Sequence, residues 1–311
     1  MVLKKKAVFF TLIAIILAAM VIASFTFYST YRTKSKGFVV ETRVKTMDRF
    51  IENLEDDLPR ALYIAGFRAV LGIEDKIIAT GIYINDSESA IEELVLYGTL
   101  DGEQLNLTID SSINDWFDRI NQQAENIGIN INYNILDFDV NQSDPWTINF
   151  YLDVEFNISD TNNVASWNRS KSFESSMKII GLEDPVYTIE AFGRTTRIIN
   201  STDITIDGID DLKSFLNSTR YRAYSNAPSF LMRLEGDLTS SPYGIETLVN
   251  TNELAFYDLY IYDRSNIDYI YFGSQSTTDY KIHNITDIYS QYFRLDQEHI
   301  TDFNVEAFKY N

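Results

Sequence analysis

The chain has no cysteine. Disulfide staples, thiolate metal sites and cysteine nucleophiles are thereby excluded, so a folded body must rest on its core alone. Histidine is almost as scarce. His283 and His299 are the only two, without a His-x-x-x-His spacing, so neither a zinc site nor any other cofactor is expected. Basic charge is also short, with 26 Lys and Arg against 45 Asp and Glu, a net charge of −19. Residues 1–36 carry six basic residues and no acidic one, which leaves −25 on residues 37–311. Such a body is repelled by phosphate backbones, and no nucleic-acid partner is expected. No Gly-x-Ser-x-Gly, phosphate loop or dinucleotide fingerprint occurs. Carboxylates are too numerous for a glycosidase-like pair to be singled out. No catalytic residue is named, and the reading is of a protein that is not an enzyme.

What the chain does have is one long apolar run. Lys4-Lys5-Lys6 precedes Ala7 to Tyr28, a stretch without a formal charge. As a helix it measures roughly 33 Å, enough to cross a hydrocarbon core of about 30 Å. It is longer than the apolar core of a cleaved secretory signal and lacks a clean Ala-x-Ala after it. It is apolar on every face, unlike a helix buried on one side. Phe9, Phe10, Phe25, Phe27, Tyr28 and Tyr31 lie near its ends, as interfacial aromatics do. A single-pass span with membrane lipid as partner is the expectation. Orientation is balanced between Lys4–Lys6 on one side and Arg32, Lys34 and Lys36 on the other. The short N-terminal tail and eight Asn-x-Ser/Thr sequons tip it. These begin at Asn85, Asn106, Asn141, Asn157, Asn168, Asn200, Asn217 and Asn284 and are candidate glycosylation sites. The N-terminus is placed in the cytoplasm and the body outside the cell membrane.

Along the chain the pattern is α+β. Val40, Val44, Met47, Phe50, Ile51, Leu54 and Leu58 recur at helical spacing, so an amphipathic helix over 37–57 continues the span, with Gly37 as a joint. Pro59 is expected to break it and open a second, buried helix over 60–80, closed by Gly81. Gly66 and Gly72 allow close packing there. A short helix covers 88–98, Asp101-Gly102 makes a turn, and Gln104 to Ile109 alternates as a strand. Ser112 to Asp115 resembles a capping box opening an amphipathic helix. A strand from Ile129 changes its apolar parity near Ile135-Leu136, which predicts a bulge. Trp146 to Ile158 alternates strictly and gives the strongest strand signal, with a polar antiparallel neighbour over 164–179. Residues 181–187 read as a turn. Helices follow near 210–217 and after Pro228, and Ala255 to Phe272 reads as an aromatic strand pair. Helices packed on antiparallel strands make an α+β layer. The division expected is a tail over 1–6, a span over 7–28, a helical stalk and buried helix over 29–80, an α+β head over 81–208 and a second α+β subdomain over 209–311.

Polar clusters are weighed on the same terms. Asp137, Asp139, Asn141, Ser143 and Asp144 place oxygens at alternate positions, as a calcium loop does. Gln142 stands where that loop needs Gly and Ile148 where it needs a bidentate Glu, so a polar turn between strands is preferred and no metal site is assigned. Asp296 to His299 reads as a helix start capped by Asp296. The tyrosines of 221–292 offer either half-buried packing or a face for a sugar or partner.

Lys6-Ala7 followed by a long apolar helix resembles the start of archaeal type IV pilin-like proteins with a class III signal peptide. The resemblance implies cleavage by a prepilin peptidase after Ala7, with Val8 as the new N-terminus. It further implies a helix that packs with other pilin-like subunits or stays in the membrane. It covers about the first 60 residues. This chain departs from the pattern in two places: no Gln follows the junction, and no Glu lies five residues into the mature helix. The expected function is a pilin-like, minor-pilin-like structural or surface-interaction component. A membrane-tethered ligand-binding protein or adhesin outside any filament is the alternative, and a tethered carboxylate hydrolase comes last.

Overall fold

The computed structural model describes residues 2–202, 205–286 and 290–311, with the side chains of 2–8 and 33–36 outside the description. Helix α1 runs without interruption from Val2 to Thr80. It is the one described helix long and apolar enough to cross a membrane, and none of the described side chains in its apolar stretch is buried. Two expectations fail here. Gly37 lies within the helix and is no joint, and Pro59 lies within it and breaks nothing. Proline removes one N–H and crowds the carbonyl four residues back. Apolar side chains are buried both before and after it, among them Ile51, Leu54, Leu58 and Leu62, and this burial outweighs the local cost. Gly81 ends the helix at φ +68°, with its N–H on the Ile77 carbonyl at 2.8 Å.

The chain divides into two compact units. One comprises residues 1–56, 123–132 and 156–169, the other 57–122, 133–155 and 170–311. After α1 comes α2 (Ser87–Tyr97), N-capped by Asp86 and ended by Gly98 in the left-handed region. Strands β1 (Thr99–Leu100) and β2 (Glu103–Gln104) pair antiparallel about Asp101-Gly102. The strand expected to continue to Ile109 does not form. A 3₁₀ turn covers Asn106–Thr108, and the Thr108 hydroxyl donates to the Gly98 carbonyl at 2.6 Å. Leu107 and Ile109, whose alternation suggested the strand, are exposed.

Helix α3 (Ile113–Asn126) opens on a reciprocal capping box. The Asp115 N–H donates to the Ser112 hydroxyl and the Ser112 N–H to the Asp115 carboxylate, both at 3.1 Å. Three long strands follow, β3 (Ile129–Asp144), β4 (Thr147–Asp160) and β5 (Ser166–Lys178), in the order β3-β4-β5. In β3 the inward positions switch from Ile129, Ile131, Tyr133 and Ile135 to Phe138, Val140 and Gln142, with Leu136 and Asp137 both exposed between them. The parity change falls where the sequence placed it. The polar residues from Asp137 to Asp144 are strand rather than turn, and the turn is Pro145-Trp146. Ile148, Phe150, Leu152, Val154, Phe156 and Ile158 of β4 are all buried.

In the first unit, the Arg43 guanidinium pairs with Asp160 and donates to the Gly128 carbonyl at 2.6 Å. Arg169 meets Glu55 at 2.9 Å. Asp160 also accepts the Asn162 N–H at 2.8 Å, which closes the β4–β5 turn.

The second unit goes on through α4 (Pro185–Glu190), α5 (Ile209–Ser218), β6 (Arg222–Ala223), α6 (Phe230–Glu235) and β7 (Ile245–Glu246). Then come α7 (Thr251–Phe256), α8 (Asp268–Phe272), β8 (Asp279–Ile282), β9 (Arg294–Asp296), α9 (Gln297–Asp302) and β10 (Lys309–Tyr310). Residues 181–187 are more than a turn, because Asp184 caps α4 and Pro185 takes its first position. β6 pairs with β7, and β8 lies between β10 and β9, all antiparallel. The aromatic strand pair over 255–272 is absent. α7 and α8 flank an irregular segment whose amides find other acceptors, Leu259 N–H the Leu254 carbonyl at 2.9 Å and Tyr262 N–H the Tyr271 hydroxyl at 3.0 Å. A core from Ile206 to Val305 includes Leu212, Phe215, Ile270, Phe293, Leu295 and Phe303.

Candidate functional site

The second unit buries several titratable side chains in three groups. The hub of the first is Arg233, fully buried on α6 within the apolar run Phe230-Leu231-Met232-Arg233-Leu234. Its Nη1 lies 2.8 Å from both Asp184 Oδ2 and Asp268 Oδ2, and its Nη2 donates to the Ile245 carbonyl. Asp184 holds Arg233 while it caps α4, accepting the Val186 N–H at 3.0 Å and the Tyr221 hydroxyl at 2.6 Å. Asp268 opens α8 and accepts the Thr247 N–H at 3.2 Å. Burial pushes the Asp268 carboxyl up to about 6, against the pull of Arg233 and with repulsion from Asp184. Burial likewise holds the Tyr221 phenol well above its ordinary range.

A second group surrounds His299 on α9. Its Nδ1 lies 2.8 Å from Asp296 Oδ2 and its Nε2 3.1 Å from Glu246 Oε2, with all three residues buried. Burial disfavours the imidazolium, but the hydrogen bonds it donates to Asp296 and Glu246 outweigh it and raise His299 to about 10. Asp296 also accepts the Ser265 hydroxyl at 2.7 Å. Serine, histidine and carboxylate are thus in contact, but in an order that makes no nucleophile. The serine hydroxyl donates to the carboxylate, and the imidazole nitrogen a serine would need faces Glu246. A third group joins Arg197 to the Tyr187 hydroxyl at 2.8 Å and to Glu253 at 3.0 Å.

The residues at the centre of the first two groups, Arg233 and His299, are fully buried. A cleft of about 400 Å³ lies elsewhere in the same unit, lined by Lys76, Tyr83, Asn85, Asp86, Glu93 and Asp101 among others. Asp101 faces Lys76 at 3.7 Å, and the other two carboxylates accept hydrogen bonds from their neighbours. Asp86 accepts the Ser89 N–H at 3.0 Å, and Glu93 accepts the Gly102 N–H at 3.0 Å and the Thr99 hydroxyl at 2.7 Å. These bonds hold both below the usual carboxylate range, so neither keeps a proton for acid catalysis near neutrality.

Of the residues named from the sequence, Lys6 and Ala7 have side chains outside the described residues. Asn85, Asn106, Asn157, Asn168, Asn200, Asn217 and Asn284 are exposed, and Asn141 is half-buried. Asn141 donates to Asp139 at 2.9 Å, and Ser143 accepts from Asn149 at 2.7 Å. Among the described residues, no three His, Asp or Glu side chains are grouped to hold a metal. Asp296 caps α9 as expected, but the sequence reading stopped there and missed the pairing with His299 and Glu246. One signal was present for Arg233: a lone cation in an apolar helical run must be buried with a partner or break the run. No protein-family model matches the chain, and neither a curated protein nor a solved structure matches it.

Proposed function

We propose that the chain is a single-pass, membrane-anchored protein with its N-terminus in the cytoplasm and its body outside. In this reading it is a pilin-like structural or surface-interaction component without a catalytic role. The supporting observation is the apolar stretch of α1, whose large side chains stand in the open, Phe25 and Phe27 at more than three-quarters of their area. Exposed apolar surface of that extent is costly in water and free of that cost in lipid. The unbroken helix through Gly37 and Pro59 supports the pilin-like plan, in which one helix serves both the membrane and the folded body. The sequons carry glycans if the body is outside, and the acidic surface keeps it soluble there.

Alkaline extraction of membranes from cells expressing the full chain tests the anchor. The protein is expected to stay in the pellet, and release into the supernatant overturns anchoring. Labelling of whole cells with an impermeant reagent tests the orientation, which fails if only lysed cells label. Mass spectrometry of the mature N-terminus tests the processing. A chain beginning at Val8 supports the pilin-like reading. One retaining Lys4-Lys5-Lys6 removes it and leaves a tethered binding protein or adhesin.

A further inference from the structure

Aromatic side chains of the second unit stand exposed on two segments that a hydrogen bond ties together. Phe192 and Phe256 are each 80% exposed and Tyr260 is 75% exposed, with Tyr257 and Tyr262 partly out beside them. Residues of this size normally go inside. Phe192 and Asp258 follow the last turns of α4 and α7 in the left-handed region, at φ +55° and +54°, as residues that end helices commonly do. Arg194 donates to the Tyr257 carbonyl at 2.9 Å, tying the segment of Phe192 to that of Phe256. Thr195 donates to Glu253 on α7, and the Arg264 guanidinium lies 4.3 Å from the centre of the Tyr262 ring.

The rings do not satisfy one another. Phe256 and Tyr257 meet edge to face at 5.1 Å, and so do Tyr260 and Tyr262 at 5.0 Å. An edge-to-face contact covers one face of one ring in each pair, and the high exposure of Phe192, Phe256 and Tyr260 leaves ring surface open to a ligand. The charge here is also unlike the rest of the chain. In a protein of net charge −19, the stretch 255–262 carries one formal charge, Asp258. Neighbouring charges are engaged, Asp263 by Arg294, Arg264 on a ring and Arg194 on a carbonyl. A charged polymer finds little to grip here. An acidic one is repelled by the body, and a basic one is drawn to the acidic surface elsewhere.

We propose that Phe192, Phe256, Tyr257 and Tyr260 form a binding platform for uncharged carbohydrate. A pyranose ring offers a flat C–H face that stacks on an aromatic ring, and hydroxyls that bond phenol and carboxylate oxygens such as those of Tyr260 and Asp258. The proposal does not depend on which side of a membrane the body occupies.

The test uses the full chain in a detergent without a sugar headgroup, applied to an array of neutral, uronic-acid, sulfated and sialylated oligosaccharides, with polylysine as a cationic control. Binding to neutral glycans is expected, about tenfold weaker in Phe256→Ala or Tyr260→Ala and lost in the double variant. Both side chains are exposed, so an unchanged melting temperature separates lost binding from lost fold. Tyr97→Ala, at an exposed tyrosine on α2, leaves binding as it was. The proposal is overturned if no neutral glycan binds, if the double variant still binds, or if charged glycans or polylysine bind through this patch as well as neutral ones do.

Discussion

A methyl group at Gly66 has no room. A Cβ there would stand 2.4 Å from Phe150 Cε2 and 2.5 Å from its Cζ, and Phe150 is fully buried on β4. Helix propensity favours alanine over glycine by up to about 1 kcal/mol, but the overlap opposes it with about 1–3 kcal/mol of overpacking. Gly66→Ala is therefore expected to lower stability by about 1–2 kcal/mol, read as a fall in the denaturation midpoint of the full chain. Phe150→Leu added to it should recover part of the loss, and additive losses would contradict the packing account. Arg233 sets a different limit. Arg233→Met removes the one cation between Asp184 and Asp268 and leaves two buried carboxylates facing each other. A loss of about 3–5 kcal/mol is expected, and equilibrium unfolding of the variant measures it. Arg233→Lys should rescue little, because one ammonium cannot span Asp184, Asp268 and the Ile245 carbonyl together. At this scale the sequence was half legible. Gly66 reads as a packing glycine from its apolar neighbours, and the Ser112–Asp115 box reads from four letters. The partners of Arg233 and His299 do not, because Asp184 lies 49 residues from the one and Glu246 lies 53 from the other. Periodicity says that a side chain is buried and is silent on what meets it.

At the scale of elements, legibility followed length. α2, α3, β4 and β5 stand where the sequence put them, the first three because each buries a regular face long enough to fix its own register, and β5, which buries only Phe173 and Met177, as the neighbour of β4. The errors fell on short or punctuated stretches. Tyr260, Tyr262, Tyr269 and Tyr271 alternate as a strand would, yet Asn250 and Ile267 open helical turns on either side and no neighbouring strand pairs with the segment. Pro59 punctuates α1 in the sequence but not in the fold. Gly37 illustrates the same point and carries a prediction. It is exposed and helical, with nothing within 4 Å of the place a Cβ would occupy. Gly37→Ala should stabilise α1 locally by about 0.5–1 kcal/mol. Hydrogen exchange of the amides around residue 37 should slow about two- to fivefold in the variant. Unchanged or faster exchange would mean that the helix is not continuous through this residue.

The whole molecule is governed by an excess of negative charge that the fold also buries. Three groups give its stability one sense of pH dependence. Glu74 on α1 accepts the Glu183 N–H at 2.7 Å with one oxygen, while the other is buried without a hydrogen-bond partner. Burial, aided by the charges of Glu183, Asp75 and Asp184, raises it from 4.5 to about 7. Asp268 rises from 3.8 to about 6, and His299 from 6.5 to about 10. In each case the folded state holds the proton more tightly than the unfolded state, so stability declines as pH climbs from the unfolded value to the folded one. Glu74 and Asp268 take effect between about pH 4 and 7, and His299 between about 6.5 and 10. Asp160 and Asp296 work the other way, held low in the fold by Arg43 and by His299 respectively, the latter against burial. Their contribution is lost as pH falls below the carboxylate range. Maximum stability is therefore expected near pH 5, with a steady fall toward pH 9, measured by thermal melts of the full chain in micelles. Glu74→Gln keeps the oxygen that accepts from Glu183 and removes the titration. It should leave the melt at pH 5 nearly unchanged and stabilise the protein at pH 8 by about 1–3 kcal/mol. Salt separates this local effect from the general one. Raising sodium chloride from 0.05 to about 0.5 M shortens the screening length to a few ångströms and relieves the repulsion spread over residues 37–311, but does little for buried Glu74. The melting temperature at pH 8 should rise with salt in wild type and variant alike, with the gap between them preserved. A gap that closes with salt would place the effect of Glu74 on the surface and contradict its burial.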